Sequence, residues 1–273
     1  MFGQSSNEDS VFQSESVLST KHTPRAITGR NKEVTQIAEA VRPLTRKNSP
    51  ENLFVHGPAG VGKTTCVTHV LEQLEAEASV KTVHVNCWQF NTRASLLSQF
   101  LNDLEYMTPR KGKPVDELLL RIQEWLDKNR PILVVLDEFD QLQDQEEIIY
   151  DLHQCSREAE TPVGIILTSN QAPSDIDIYP RSTSRLRYRT IQFDPYDQDA
   201  LVDILQARAN TAFKSGAVSD ETLDRIAQRV AAQGGDCRHA IELLHRAGRI
   251  ADREGNSSVT TIHAEQSFNP GRD

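Results

Sequence analysis

The sequence predicts an α/β protein: a parallel sheet flanked by helices, followed by a smaller unit built of helices alone. Three observations carry this expectation. Short apolar runs alternate with amphipathic stretches up to about residue 194. One of those runs leads directly into a glycine-rich turn and then a helix. Beyond residue 197 only helical spacing continues. Strands that alternate with helices need crossover connections, and crossovers make the strands parallel.

Composition sets the outer bounds. The 273 residues suit one or two domains with a sizeable core. A net charge of −9 argues against a whole-surface nucleic-acid binder but leaves room for a local basic groove. Cys66, Cys87, Cys155 and Cys237 lie far apart with no C-x-x-C pair. Buried free thiols in a reducing compartment are expected, not a metal or disulfide framework. The histidines show no zinc spacing. The start is polar, without a secretory signal, and no apolar run approaches the roughly 18 residues of a membrane span. A cytoplasmic protein with no membrane partner is therefore expected.

Each element has its own reason. Residues 1–22 are rich in Ser, Gln and Asn and are expected to be mobile. Residues 24–30 read as a structured lead-in to a helix over 31–44, with Val34, Ile37, Ala38 and Val41 on one face. A polar loop over 46–51 ends in Ser-Pro. Leu53 to His56 reads as a buried strand, and the helix after it carries Val67, Val70, Leu71 and Leu74. Residues 81–86 form a second strand. A helix over 94–106 buries Leu96, Leu97, Phe100, Leu101 and Leu104. A basic turn over 108–114 precedes a helix over 115–128 with Leu118, Leu119, Ile122 and Trp125 facing in. The continuous apolar runs over 131–136 and 164–168 suit strands buried on both faces. Residues 190–193 are the last strand. Asp197, Ser219 and Asp236 are placed to cap the three helices that follow, with Gly234-Gly235 as a break and a short element over 259–268.

The chemistry starts at the glycine-rich turn. Gly57, Gly62, Lys63 and Thr64 fill the pattern G-x-x-x-x-G-K-[ST]. Glycines let successive backbone N–H groups converge on one concavity, and the helix that follows aims its N-terminal N–H groups and dipole there too. The candidate nucleotide cradle is Gly57, Pro58, Ala59, Gly60, Val61, Gly62, Lys63, Thr64 and Thr65. Lys63 is suited to the β- and γ-phosphates of ATP, and the Thr64 hydroxyl to Mg²⁺. The strand over 131–136 delivers Asp137 and Glu138 at its carboxyl end, where open α/β sheets bind ligands. Asp137 is placed to hold Mg²⁺ and Glu138 to polarise an attacking water. Adjacent carboxylates after a strand also suit a solvated turn or helix cap; the glycine-rich loop upstream favours the hydrolytic site. Asn170, after the next buried strand, suits either the attacking water and γ-phosphate or a plain turn.

Gly57 to Thr64 with Asp137, Glu138, Asn170 and a helical lid resembles the AAA+ ATPase pattern, a P-loop NTPase fold. Within it the chain resembles the archaeal replication initiators related to origin recognition complex subunit one and cell division cycle protein six. Residues 24–33, Val85-Asn-Cys87, Leu136-Asp-Glu-Phe-Asp140, Phe193-Asp-Pro-Tyr-Asp197 and Gly235-Asp-Cys-Arg-His-Ala240 carry the likeness, over about residues 11–268. The resemblance implies a five-stranded sheet of order 5-1-4-3-2. It implies an ATPase domain over 23–194 after a flexible segment 1–22, a lid over 195–269 and a tail over 270–273. It also implies that Arg238 reaches the γ-phosphate in cis, that Tyr196 and Arg208 line the pocket, and that Ile27 to Arg30 wraps the adenine. A trans-acting arginine finger, Arg185 or Arg181, would serve a neighbour's ATP through self or paralogue association. Duplex DNA of origin type, a DNA-bound initiator or the replicative helicase are the implied partners, with Arg110, Lys111 and Lys113 as phosphate contacts.

The resemblance thus implies slow, Mg²⁺-dependent hydrolysis in an ATP/ADP switch. A loader or transposition helper of the same class would instead show fast, DNA-stimulated turnover. A non-catalytic ATP-bound regulator would work through a full-length initiator. Relatives continue into a winged-helix domain, whereas this sequence ends at Asp273, where the lid ends. A shortened paralogue acting through partners, or one reading DNA mainly with the ATPase domain, is expected on that ground.

Overall fold

The computed structural model describes residues 10–19, 22, 26–106, 113–127, 130–176 and 186–268. It divides into two compact units. One comprises 31–57 and 63–193; the other comprises 1–30, 58–62 and 194–273.

The first unit holds a five-stranded sheet: β1 (Asn52–His56), β2 (Lys81–Asn86), β3 (Ile132–Asp137), β4 (Val163–Ser169) and β5 (Tyr188–Gln192). The strand order is β2-β3-β4-β1-β5, as the resemblance implies, and every pairing is parallel, as the alternation of elements implies. Every residue of β3 and β4 is buried, which is why their sequences read as unbroken apolar runs. Helices α1 (Asn31–Val41), α2 (Lys63–Glu77), α3 (Arg93–Asp103), α4 (Val115–Leu126) and α5 (Gln145–Glu158) belong to the same unit. Its core joins Phe54, Phe100, Leu118, Phe139 and Ile148.

Two helices are shorter than expected, for local reasons. The helix from Asn31 stops at Val41 and passes into a 3₁₀ turn over Arg42–Arg46, because Pro43 has no N–H for the α-helical ladder. The helix predicted over 94–106 ends at Asp103, and Glu105 turns the chain with φ 64°. Helix α5 was not foreseen, although Ile148, Ile149, Leu152 and Cys155 form a buried stripe at helical spacing.

The second unit carries α6 (Gln198–Ala212), α7 (Asp220–Ala231), α8 (Cys237–Arg253) and α9 (Thr261–Ser267). Asp197 accepts from Ala200 N–H at 2.8 Å, Ser219 from Thr222 N–H at 3.3 Å and Asp236 from His239 N–H at 3.1 Å, so the expected caps are made.

Residues 10–18, assigned to a mobile lead on composition, are instead built into this unit. Val11, Val17 and Leu18 are buried in the helical core, which their polar neighbours concealed. The backbone N–H groups of Gln13 and Ser14 both donate to Ala212 O at 2.9 Å, and Phe12 stacks on Phe213 at 4.7 Å. Glu15 binds Arg249 and His245 at 2.6 and 2.7 Å.

Candidate active site

Parallel register lines up the carboxyl ends of the strands, so side chains far apart in sequence meet along one edge. Asn86 is level with Asp137, and β4 carries Thr168 and Ser169 beside β1. Gly57 follows β1 with φ 150°, and a Cβ there would stand 2.2 Å from Phe193 O, so only glycine fits.

Lys63 opens α2 and is buried. Its ammonium donates to Gly57 O at 2.7 Å and to Asn170 Oδ1 at 3.0 Å. At the next residue, Thr64 Oγ1 donates to Asp137 Oδ1 and Oδ2 at 3.0 and 3.2 Å. Asp137 also accepts from the Thr168 hydroxyl, and His84 Nε2 lies 3.8 Å from its Oδ2. Burial alone would raise the Asp137 pKa. Hydrogen bonds from His84, Thr168 and Thr64 outweigh that and hold the carboxyl below its ordinary range. A hydroxyl and an ionised carboxylate in contact are hard oxygen donors, a set that fits Mg²⁺.

Glu138 follows in the left-handed region, φ 56° and ψ 46°. That conformation lifts it off the line of β3. Its N–H donates to Thr168 Oγ1 at 3.1 Å, and Asn86 Nδ2 donates to its Oε2 at 3.4 Å. Glu138, Asn170, Gln141 and the exposed indole of Trp88 line an open pocket of about 320 Å³. Asp140, one turn on, accepts the Asn170 N–H at 3.1 Å and so fixes the loop after β4.

The sheet unit therefore brings together Lys63, Thr64, Asp137, Glu138 and Asn170. Asn86, His84 and Thr168 join them, and sequence reasoning gave none of these three a role. The signal existed in part: all three lie on strands that flank β3 or end at the same edge. Arg93 and Asp151 were also missed. Asp151 is buried and takes the Arg93 guanidinium through two bonds of 2.7 Å, tying α5 to α3.

The helical unit places the other candidates. Tyr196 is buried, with the Arg30 guanidinium 4.0 Å above its ring. Arg208 donates to Val17 O at 3.0 Å and His22 O at 3.4 Å, so its described hydrogen bonds go to backbone carbonyls of the segment before residue 23, a strap on the helical unit. Arg238 stands exposed in the first turn of α8, and among the described residues no ion pair holds it; Glu242, one turn on, pairs with Arg246 at 2.9 Å. Lys113 bridges Glu117 at 2.6 Å, which engages one of the three expected DNA cations. Arg110, Lys111, Arg181 and Arg185 lie outside the described residues. Among the described residues, no helix is long and apolar enough to cross a membrane.

Comparison with known proteins fits this geometry. A family model described as an AAA domain matches residues 46–171, and one described as a Cdc6 AAA+ ATPase-type lid domain matches 202–269. ORC1-type DNA replication protein 3 of Haloarcula marismortui is 33% identical over 273 residues, 97% of this chain and 73% of the relative. The ORC1-type DNA replication protein of Thermococcus onnurineus is 34% identical over 93% of this chain, and the chain spans 64% of that relative's length. Among solved structures, the Aeropyrum pernix ORC1 protein in complex with DNA superposes with TM-score 0.86 at 29% identity, over 94% of this chain and 69% of that one. Cdc6p from Pyrobaculum aerophilum shares the fold at TM-score 0.85 and 20% identity.

Proposed function

Since the chain belongs to the ORC1-type DNA replication protein family, we propose that it binds ATP, hydrolyses it slowly, and uses the ATP- and ADP-bound states to set its affinity for duplex DNA or a DNA-bound initiator. The observation that carries this reading is the constellation at the sheet edge: Lys63 on Gly57 and Asn170, Thr64 on Asp137, and Glu138 beside Asn86.

Each group then has a role. Lys63 neutralises charge on the β- and γ-phosphates, with Gly57 O and Asn170 Oδ1 fixing where its ammonium sits. Thr64 and Asp137 would hold Mg²⁺, which when bound neutralises polyphosphate charge. Glu138 takes the proton of the attacking water, and Asn86 holds the carboxylate that does so. Asn170 orients the water or the terminal phosphate. Arg238 of the lid, taken as 195–269 beside an ATPase domain over 23–194, senses whether that phosphate is present. Arg185 or Arg181 completes the site of a neighbouring copy or paralogue.

The test combines phosphate release, with and without duplex DNA, and binding to labelled duplex across a salt series, for wild type and Glu138→Gln. Slow release that Glu138→Gln abolishes, with ATP-dependent DNA binding that falls steeply with salt, is expected. Fast DNA-stimulated release would make the protein a motor or loader. ATP held with no DNA binding at any salt would remove direct DNA recognition and leave a regulator working through partners.

A further inference from the structure

The phosphate loop, 58–62, is held by the helical unit through its own carbonyls. Cys237 is the first residue of α8, and its N–H is one of the donors that a helix start leaves without an intrahelical partner. It donates to Gly60 O at 3.2 Å. Arg30 is buried, and its Nε donates to Val61 O at 3.2 Å while its Nη2 donates to Asp194 O. The Tyr196 ring lies under the same guanidinium and keeps it in place. At Gly60, with φ 74°, a Cβ would stand 1.8 Å from Asp236 Oδ1, so loop and helix cap are in direct contact.

A trans peptide unit points its C=O and its N–H in opposite directions. The Gly60 carbonyl shares its peptide with the Val61 N–H, and the Val61 carbonyl shares its peptide with the Gly62 N–H. Whatever fixes those two carbonyls also fixes the direction of the two amides. We propose that Arg30 and the backbone amide of Cys237 are positioning groups for the phosphate loop, turning the Val61 and Gly62 N–H groups toward a bound polyphosphate. This deepens the nucleotide-binding reading and rests on it. It also gives Arg30 a different task from wrapping the adenine.

One substitution deletes the Cys237 donor cleanly. Proline is favoured at the first position of a helix, and Asp236 before it is extended, at φ −75° and ψ 104°, outside the α region that a following proline disfavours. The experiment measures binding of a fluorescent ATP analogue, its displacement by inorganic tripolyphosphate, and melting temperature without ligand. Wild type is compared with Cys237→Pro, Cys237→Ser, Arg30→Met, Arg30→Lys and Lys63→Ala. Cys237→Pro and Arg30→Met are each expected to weaken tripolyphosphate binding about tenfold. Cys237→Ser, which keeps the N–H, binds as wild type, and Arg30→Lys, which can serve one carbonyl, falls between. A merely structural role would lower the melting temperature without moving the tripolyphosphate constant, and that result overturns the proposal. So does wild-type binding by a folded Cys237→Pro protein. Should either deletion unfold the lid helices, the other decides the same question. If wild type binds no nucleotide, or Lys63→Ala binds as well as wild type, the nucleotide reading itself fails.

Discussion

The polar groups at the sheet edge are held in pairs, whereas Arg238 at the start of α8 is held by no ion pair among the described residues. Lys63 has a carbonyl and an amide oxygen, Asp137 has Thr64, Thr168 and His84, and Glu138 has Asn86. Arg238 is exposed, and its positive charge sits in the first turn of a helix, where the dipole disfavours a cation. The contrast teaches how one chain treats two kinds of charge. A group that must present the same charge in every state of a cycle gains from being fixed beforehand, because no reorganisation is left for the moment of reaction. On the proposed function, Arg238 reports the arrival and departure of a phosphate, and such a group is better left without a standing partner.

The largest effect expected is on turnover. Glu138→Gln should lower phosphate release by roughly 10²–10⁴-fold while leaving ATP binding intact, since only the proton acceptor is lost. Equal loss of binding in an equilibrium titration would break the division of roles along the edge. Lys63→Ala should weaken ATP binding by about 100-fold, as one charge-assisted contact to the polyphosphate goes and Asn170 Oδ1 loses its donor. Arg238→Ala sharpens the contrast. Discrimination between ATP and ADP should fall about tenfold. The melting temperature should hold or rise slightly, because removing a cation from a first helical turn relieves about 0.3–1 kcal/mol. A marked drop in melting temperature would mean that Arg238 is structural after all.

The smallest effect concerns the strap. Burial raises the Glu15 pKa, but hydrogen bonds from His245 and Arg249 more than offset it and leave the carboxyl below its ordinary value. A lowered carboxylate pKa means stability that is fully present above the unfolded value and lost as pH falls through the folded one. The protection factors of the Gln13 and Ser14 amides, that is exchange corrected for its intrinsic rate at each pH, should therefore hold above about pH 4.5, the ordinary glutamate value, and fall below it. Arg249→Ala should shrink that fall, because the folded Glu15 pKa returns toward its ordinary value. Protection factors that do not change with acid would show that Phe12 and the backbone bonds hold the strap alone.

What the sequence made legible follows from what short-range physics controls. The parallel direction of the strands, the buried runs of β3 and β4, and the caps at Asp197, Ser219 and Asp236 depend on spacing and on residues within a turn of one another, whereas the strand order came from the family resemblance. The glycine-rich turn and the carboxylates after β3 are likewise continuous in the chain. Asn86, His84 and Thr168 escaped because their neighbours come from strand register, which a linear reading does not display. The strap escaped because Val11, Val17 and Leu18 are few apolar residues among many polar ones, and only the helical core that includes α6 and α8 gives them burial. Helix α5 had a readable stripe. Its entry, Gln141-Leu-Gln-Asp-Gln-Glu-Glu147, reads as a loop, and the Asp144 side chain accepts no capping bond from α5 but accepts the Arg93 N–H at 2.8 Å instead.

The left-handed backbone of Glu138 has a further consequence, for anyone who would engineer the protein. A non-glycine residue held at φ 56° carries about 1–2 kcal/mol of conformational penalty, which asparagine tolerates better than glutamate. Glu138→Asn should therefore be hardier and inert at once. A screen that selects for heat resistance alone would drift toward such dead variants, so endurance and turnover have to be selected together.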